Sequence, residues 1–320
     1  MMKHSKGKTR KSLTVRLIAL SCLLVSFYAC EKEGGAEDIE VQESANSTVN
    51  SNEVELTHDQ IFKLAANSIV PSSKIVQEVE GNFFGRDLSG ILIDDQFVSY
   101  RQLKEWDSHS EEDHDSRLRI TKSRVSFPSF GKRTLVYGLP YNGTDALSWK
   151  QINAAITAIQ RYDALNTAKL NFQFFIGSGS QIMNGLNNGT LDAVIFNDDD
   201  NNFVGGADGR ALFPSNGNPG FLIGLNDITD TYSQQNITVL IQHEMGHTIG
   251  LAHGDYLTRV SCNDGLSDID PNIIEIIPGT GGNNGNFTNT VMRACGFFAF
   301  NDFRFEDRRS IQNAYNGQSF

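Results

Sequence analysis

Apolar residues recur along this chain at two periods, and those periods sort much of it into elements. Behind Ser148, a good helix cap, Ile152, Ala155, Ile156 and Ile159 recur at helical spacing, which predicts a helix over 149–165. Short runs rich in Val, Ile, Leu and Phe at 134–138, 170–176, 192–196, 210–213 and 221–225 read as strands. A second long helix is predicted from about 234 to 249. A last one spans 305–315, where Ile311, Ala314 and Tyr315 share a face. Strands interspersed with helices make 126–320 one α/β domain.

Upstream the pattern thins. Residues 56–107 hold a short helix over 56–65, capped by Thr57, and strand-like runs at 74–80 and 90–100. That is a small N-terminal module of about fifty residues, marginal for independent stability. A prodomain is its functional reading, and a structural extension is the alternative. Residues 31–55, rich in Glu, Ser, Asn and Gly, read as a disordered tether. Residues 108–125 form an acidic linker that continues a charge run starting at Glu105. His109 and His114 in it belong to a solvated run rather than to a metal site.

The first thirty residues are an address. Lys3, Lys6, Lys8, Arg10, Lys11 and Arg16 precede an apolar run from Leu17 to Ala29, too short to span a bilayer comfortably. Residues 1–30 therefore read as a signal peptide. The ending Phe27-Tyr28-Ala29-Cys30 resembles a bacterial lipoprotein signal with Cys30 as the lipid-bearing N-terminus. Phe27 and Tyr28 depart from that pattern, and plain secretion is the alternative. An exported envelope protein, monomeric and held to the membrane only through Cys30, is the expectation.

Removing that segment changes the charge. It takes away six of the 27 Lys and Arg and none of the 38 Asp and Glu, so the net charge moves from −11 to −17. A chain this acidic is a poor partner for nucleic acid or anionic lipid. Two cysteines remain in the globular part, Cys262 and Cys295. In an exported protein they suit a disulfide, with two separate buried thiols as the alternative.

The candidate chemistry lies in His243-Glu244-Met245-Gly246-His247-Thr248-Ile249-Gly250-Leu251-Ala252-His253. Two histidines four apart on a helix share a face and reach one metal ion. Gly250 lets the helix end and the chain turn back, which brings His253 as a third nitrogen ligand. Three histidines and an open position describe a catalytic zinc site, with His243, His247 and His253 as ligands and Glu244 as general base. Protein or peptide would be the substrate. Asp198, Asp199 and Asp200 in the loop after the third strand offer clustered oxygens that suit calcium, with a solvated acidic loop as the alternative.

The spacing HExxHxxGxxH resembles the metzincin zinc peptidases, and Met292, 39 residues after His253, resembles their Met-turn methionine. More closely, the chain is similar to the dual-action HEIGH metallopeptidases, with Met245 where that name has Ile. Asp255, Tyr256, the stretch Phe213 to Gly220 and Tyr315 also resemble that family, over roughly 130–320. The resemblance implies a metzincin-like catalytic domain: a twisted mixed sheet, an active-site helix and a C-terminal helix. It also implies that substrate lies extended along an edge strand near Arg210 to Pro219. Three departures stand out against other metzincin branches, the first against the astacin-like and serralysin-like members and the other two against the matrix metalloproteinases. Ala294 replaces a tyrosine two residues after the methionine, 197–225 hold no histidine for a structural zinc, and no prodomain cysteine is present to latch the metal. A non-catalytic, zinc-containing surface lipoprotein that binds a partner is the competing function, and intact Glu244 argues against it.

Overall fold

Among the described residues, a nine-stranded sheet organises the fold. The computed structural model describes residues 50–55, 75–93, 96–100, 119–121, 124–199, 203–204, 207–255, 260–263, 274–277 and 288–317. All of them fall within one unit, Asn46–Phe320. The strands are β1 (Asn50–Glu55), β2 (Ile75–Phe83), β3 (Arg86–Ile93), β4 (Gln96–Ser99), β5 (Arg119–Thr121), β6 (Arg133–Pro140), β7 (Leu170–Gly177), β8 (Ala193–Asp198), β9 (Gly209–Leu212), β10 (Leu222–Asn226) and β11 (Ile274–Ile276). The helices are α1 (Trp149–Ala164), α2 (Gly179–Asn187), α3 (Gln234–Thr248) and α4 (Phe305–Ala314). The fold is mixed α/β, as the alternation of elements predicts.

The large sheet has the order β1-β2-β3-β4-β9-β10-β8-β6-β7. Its C-terminal five strands are parallel except β9, which runs antiparallel to β10. Parallel strands need cover on both faces, and this chain supplies it. Ala193 and Ile195 of β8 face a core shared with α1, α3 and α4, while Val194 and Phe196 face a second core. That second core takes Ile182 and Leu186 from α2 and Val79, Phe83, Leu88 and Phe97 from β2 to β4. Among the described residues, the N-terminal module thus packs into the core of the sheet, in keeping with its small size.

Most predicted elements form within a residue or two. Ser148 caps α1 in a capping box with Gln151. Helix α2 was not predicted: it has nine residues, its buried face is only Ile182, Gly185 and Leu186, and its glycines weaken the helical signal. The run at 90–100 is two strands, β3 and β4, paired antiparallel. Two corrections concern the segments upstream. Residues 50–55, read as tether, form β1 and pair with β2 from Asn50↔Glu80 to Glu55↔Ile75. An edge strand draws on ladder hydrogen bonds, so polar composition does not bar it. Within the stretch read as linker, β5 pairs with β11, Ile120 is fully buried, and the Thr121 N–H donates to the Gly250 carbonyl at 2.7 Å. The segment 1–30 with Cys30, residues 31–49, the 56–65 helix, His109 and His114 lie outside the described residues. Among the described residues no helix is long and apolar enough to cross a membrane.

Candidate metal centre

Helix α3 is buried from Ile237 to Thr248, so its polar side chains are there for a reason other than solvent. It ends in a Schellman turn. Leu251 N–H donates to the Gly246 carbonyl and Gly250 N–H to the His247 carbonyl, both at 2.9 Å, with Gly250 at φ 104°. A side chain at 250 would be strained in that conformation. The turn sends the chain back, and His253 arrives beside the two helical histidines, as the spacing predicts.

The three imidazoles converge. His243 Nε2 lies 3.1 Å from His247 Nε2 and 3.2 Å from His253 Nε2. His243 Nδ1 donates to the Val291 carbonyl at 2.7 Å, and His247 Nδ1 donates to the Leu251 carbonyl at 2.9 Å. A carbonyl oxygen only accepts, so in both rings Nδ1 carries a proton, and in a neutral ring that leaves Nε2 with its lone pair. Two lone pairs 3.1 Å apart repel unless a cation sits between them. Nitrogens held at about 2.0–2.1 Å from a tetrahedral ion would stand about 3.3 Å apart, close to the spacing seen. The donor set therefore fits a metal ion with an affinity for imidazole. Among the described residues, this trio is the group of metal-ligating side chains that comes together.

Neighbours hold the rings in place. Phe297 stacks on His243 with centroids 4.5 Å apart, and Phe213 meets His247 edge-on at 5.2 Å. Met292 packs against α3. Its sulfur would lie 2.3 Å from a Cβ on Gly246, so any larger residue there must push the methionine side chain aside. The Met292 carbonyl also accepts from the Gly254 N–H at 2.5 Å, which ties it to the residue after His253. Glu244, buried beside the histidines, borders β9, where a Cβ on Gly209 would stand 3.1 Å from its Oε1.

The far wall is tied down as the cysteine count predicts. Cys262 and Cys295 form a disulfide. Next to it the Asp255 carboxylate accepts from Ser261 N–H and Ala294 N–H, both at 2.9 Å, and from the Ser261 hydroxyl. Burial alone would raise the Asp255 carboxyl. The Ser261 hydroxyl and the two backbone N–H groups outweigh it and hold the group below the usual carboxylate range.

Two expectations change. Ala211 and Leu212, where substrate was expected to pair, are register partners of Gln96 and Phe97 in β4, so strand β9 already has a neighbour there. Calcium finds no support in the acidic loop. The Asp198 carboxylate accepts from the Phe203 and Val204 N–H groups at 2.8 and 2.6 Å, which commits it to shaping the loop. Sequence reasoning also missed Thr290, Asp307 and Phe297. Of these only Asp307 carried a signal, as an acid in the first turn of a predicted helix.

A family model described as dual-action HEIGH metallo-peptidase matches residues 93–308. Two solved structures of myroilysin are similar. One shares 14% identity at a TM-score of 0.40 and covers 62% of this chain and 98% of that chain. The other shares 14% identity at a TM-score of 0.31 and covers 63% and 99%. No curated protein matches the chain. With more than half of its residues matched by the family model, the chain belongs to the dual-action HEIGH metallopeptidases, and is a metallopeptidase.

Proposed function

We propose that this chain is a zinc endopeptidase of metzincin type, with His243, His247 and His253 as metal ligands and Glu244 as general base. The observation that carries the reading is the convergence of the three imidazoles, with His243 Nε2 at 3.1 and 3.2 Å from the Nε2 atoms of His247 and His253. Zinc, when bound, would supply a Lewis acid for the peptide carbonyl and a water of lowered pKa. The carbonyls of Val291 and Leu251 keep two imidazoles in the ligating tautomer. Glu244 accepts a proton from the attacking water and delivers it to the leaving amine. Met292, Phe297 and Phe213 keep the surroundings apolar, which strengthens each charge interaction inside.

The N-terminal module reads as a prodomain, and two features support that. Strand β4 occupies the β9 edge at Ala211 and Leu212, where an extended substrate would add as a strand. His243, His247, His253 and Glu244 are each at most 1% exposed in this arrangement. The disulfide supports an oxidising compartment, in keeping with export behind the 1–30 signal and a lipid at Cys30.

The test measures bound zinc and cleavage of an unfolded protein, using the full chain and the same chain cut at a protease site inserted within 101–118. Wild type should bind zinc and cleave after the cut, and a chelator should abolish cleavage. Glu244→Gln should keep the zinc and lose roughly 10²–10⁴-fold in rate. Zinc retained with no cleavage by the cut chain would favour the partner-binding lipoprotein. Full activity in Glu244→Gln would remove the general-base assignment.

A further inference from the structure

Behind His243 runs a line of buried hydrogen bonds that ends on a carboxylate. The Thr290 hydroxyl donates to Asp307 Oδ1. The Thr290 oxygen in turn accepts from the Met292 N–H at 3.0 Å. That N–H belongs to the same peptide group as the Val291 carbonyl, which accepts from His243 Nδ1 at 2.7 Å. The other Asp307 oxygen accepts from the N–H groups of Val291 and Arg304 at 3.2 and 2.7 Å. Asp307, Thr290, Val291, Met292 and His243 are all buried.

The chemistry of the groups sets the direction of this line. An ionised carboxylate only accepts, and a hydroxyl has one proton to give. With the Thr290 O–H donating to Asp307, a lone pair of the hydroxyl oxygen is left for the Met292 N–H. The peptide is then polarised so that its carbonyl oxygen becomes the better acceptor, and the His243 Nδ1–H donates to it. Hydrogen bonds in series strengthen one another in a low-dielectric interior. Metal-binding histidines often give their second N–H straight to a carboxylate, which fixes the tautomer and raises ligand basicity. Here a hydroxyl and one peptide group stand between the two.

We propose that Asp307 is a positioning residue for His243, acting through Thr290 and the Val291–Met292 peptide to fix the Nδ1–H tautomer and strengthen Nε2 as a ligand. The inference rests on the reading of the three histidines as a metal centre. A purely structural Asp307 would only anchor the turn at Thr290 and Val291 to α4, through its bonds to the Val291 and Arg304 N–H groups.

Thr290→Val separates the two roles. It keeps the anchor and the side-chain shape but removes the hydroxyl that joins the line. Thr290→Ser restores the hydroxyl. Asp307→Asn is the second variant: its amide N–H turns toward Thr290 and reverses the hydroxyl's part. Two readouts apply to the full chain. One is the proton NMR signal of His243 Nδ1–H in metal-free protein. The other is Co²⁺ affinity, followed by visible absorption and checked by Zn²⁺ competition. Thr290→Val and Asp307→Asn should shift the His243 signal upfield and weaken metal binding by roughly 10–100-fold, with Thr290→Ser close to wild type on both. A His243 signal unmoved in Thr290→Val overturns the proposal, as does an unchanged affinity. If wild type binds neither ion, the metal reading fails, and the metal-free signal still decides whether the line reaches His243.

Discussion

Gly246→Ala sets two effects of opposite sign against each other. In an exposed helix this change stabilises by about 1 kcal/mol, because alanine loses less backbone entropy. Here the new Cβ would lie 2.3 Å from the Met292 sulfur, 2.8 Å from its methyl carbon and 3.3 Å from the Tyr162 hydroxyl oxygen. Carbon and sulfur prefer roughly 3.5–4 Å, so the sulfur must retreat by more than about 1 Å. It has little room. Met292 is buried, its carbonyl holds the Gly254 N–H, and its neighbour Val291 holds His243. Overpacking of a closed core costs about 1–3 kcal/mol, so after the gain of about 1 kcal/mol the net effect should be destabilisation by up to about 2 kcal/mol. Denaturant unfolding of metal-free protein measures this without metal linkage. The same change in a Met292→Ala background removes the clash and should stabilise, giving a coupling of about 2 kcal/mol. A stabilised Gly246→Ala in the wild-type background would refute the close packing of Met292 on α3.

Three further outcomes are expected. A Gln96→Cys, Ala211→Cys chain, cut within 101–118 and oxidised to lock β4 on β9, should remain at least roughly tenfold less active than the unlocked cut chain until reductant is added. Equal cleavage by locked and unlocked chains would remove the gating role, and wild type with the same reductant controls for the Cys262–Cys295 bond. Burial raises the Asp307 carboxyl from 3.8 to about 6, opposed by the Thr290 hydroxyl and the Arg304 and Val291 N–H groups. The folded state then binds the proton more tightly than the unfolded one. Stability from this group is fully present below about pH 4 and is lost as pH rises through about 6, by about 3 kcal/mol at most. Asp307→Asn should flatten that part of the stability profile between pH 4 and 6, and an unaltered slope would argue against the raised carboxyl. Chelation should lower the melting temperature of wild type and of Glu244→Gln alike, because the ligands are intact in both. A larger shift in one of them would show that Glu244 takes part in holding the metal.

The parts legible beforehand share a property: each depends on residues close in sequence. Ser148 with Gln151, the apolar stripe of α1, and the spacing from His243 through Gly250 to His253 are local patterns with one good structural solution each. Helix α2 escaped because three buried side chains make too short a period to see. The helix α3 shows the limit of periodicity from the other side. Every residue from Ile237 to Thr248 is buried, so it has no polar face to mark its direction, and the motif alone located it.

By itself, the sequence singled out the three histidines and Glu244 as candidates, the α/β character of 126–320 and the oxidised pairing of Cys262 with Cys295 as one of two readings. Tertiary structure decided what surrounds that trio. It placed Val291 and Leu251 carbonyls on the imidazoles, joined Asp307 to His243 across 64 residues, and set β4 against β9. It also built β1 and β5 out of stretches that read as tether and linker. The physical reason is that a hydrogen-bonding backbone looks the same at every residue. Which carbonyl meets which imidazole, and which strand edge is filled, depends on how distant segments pack and on no repeat along the chain.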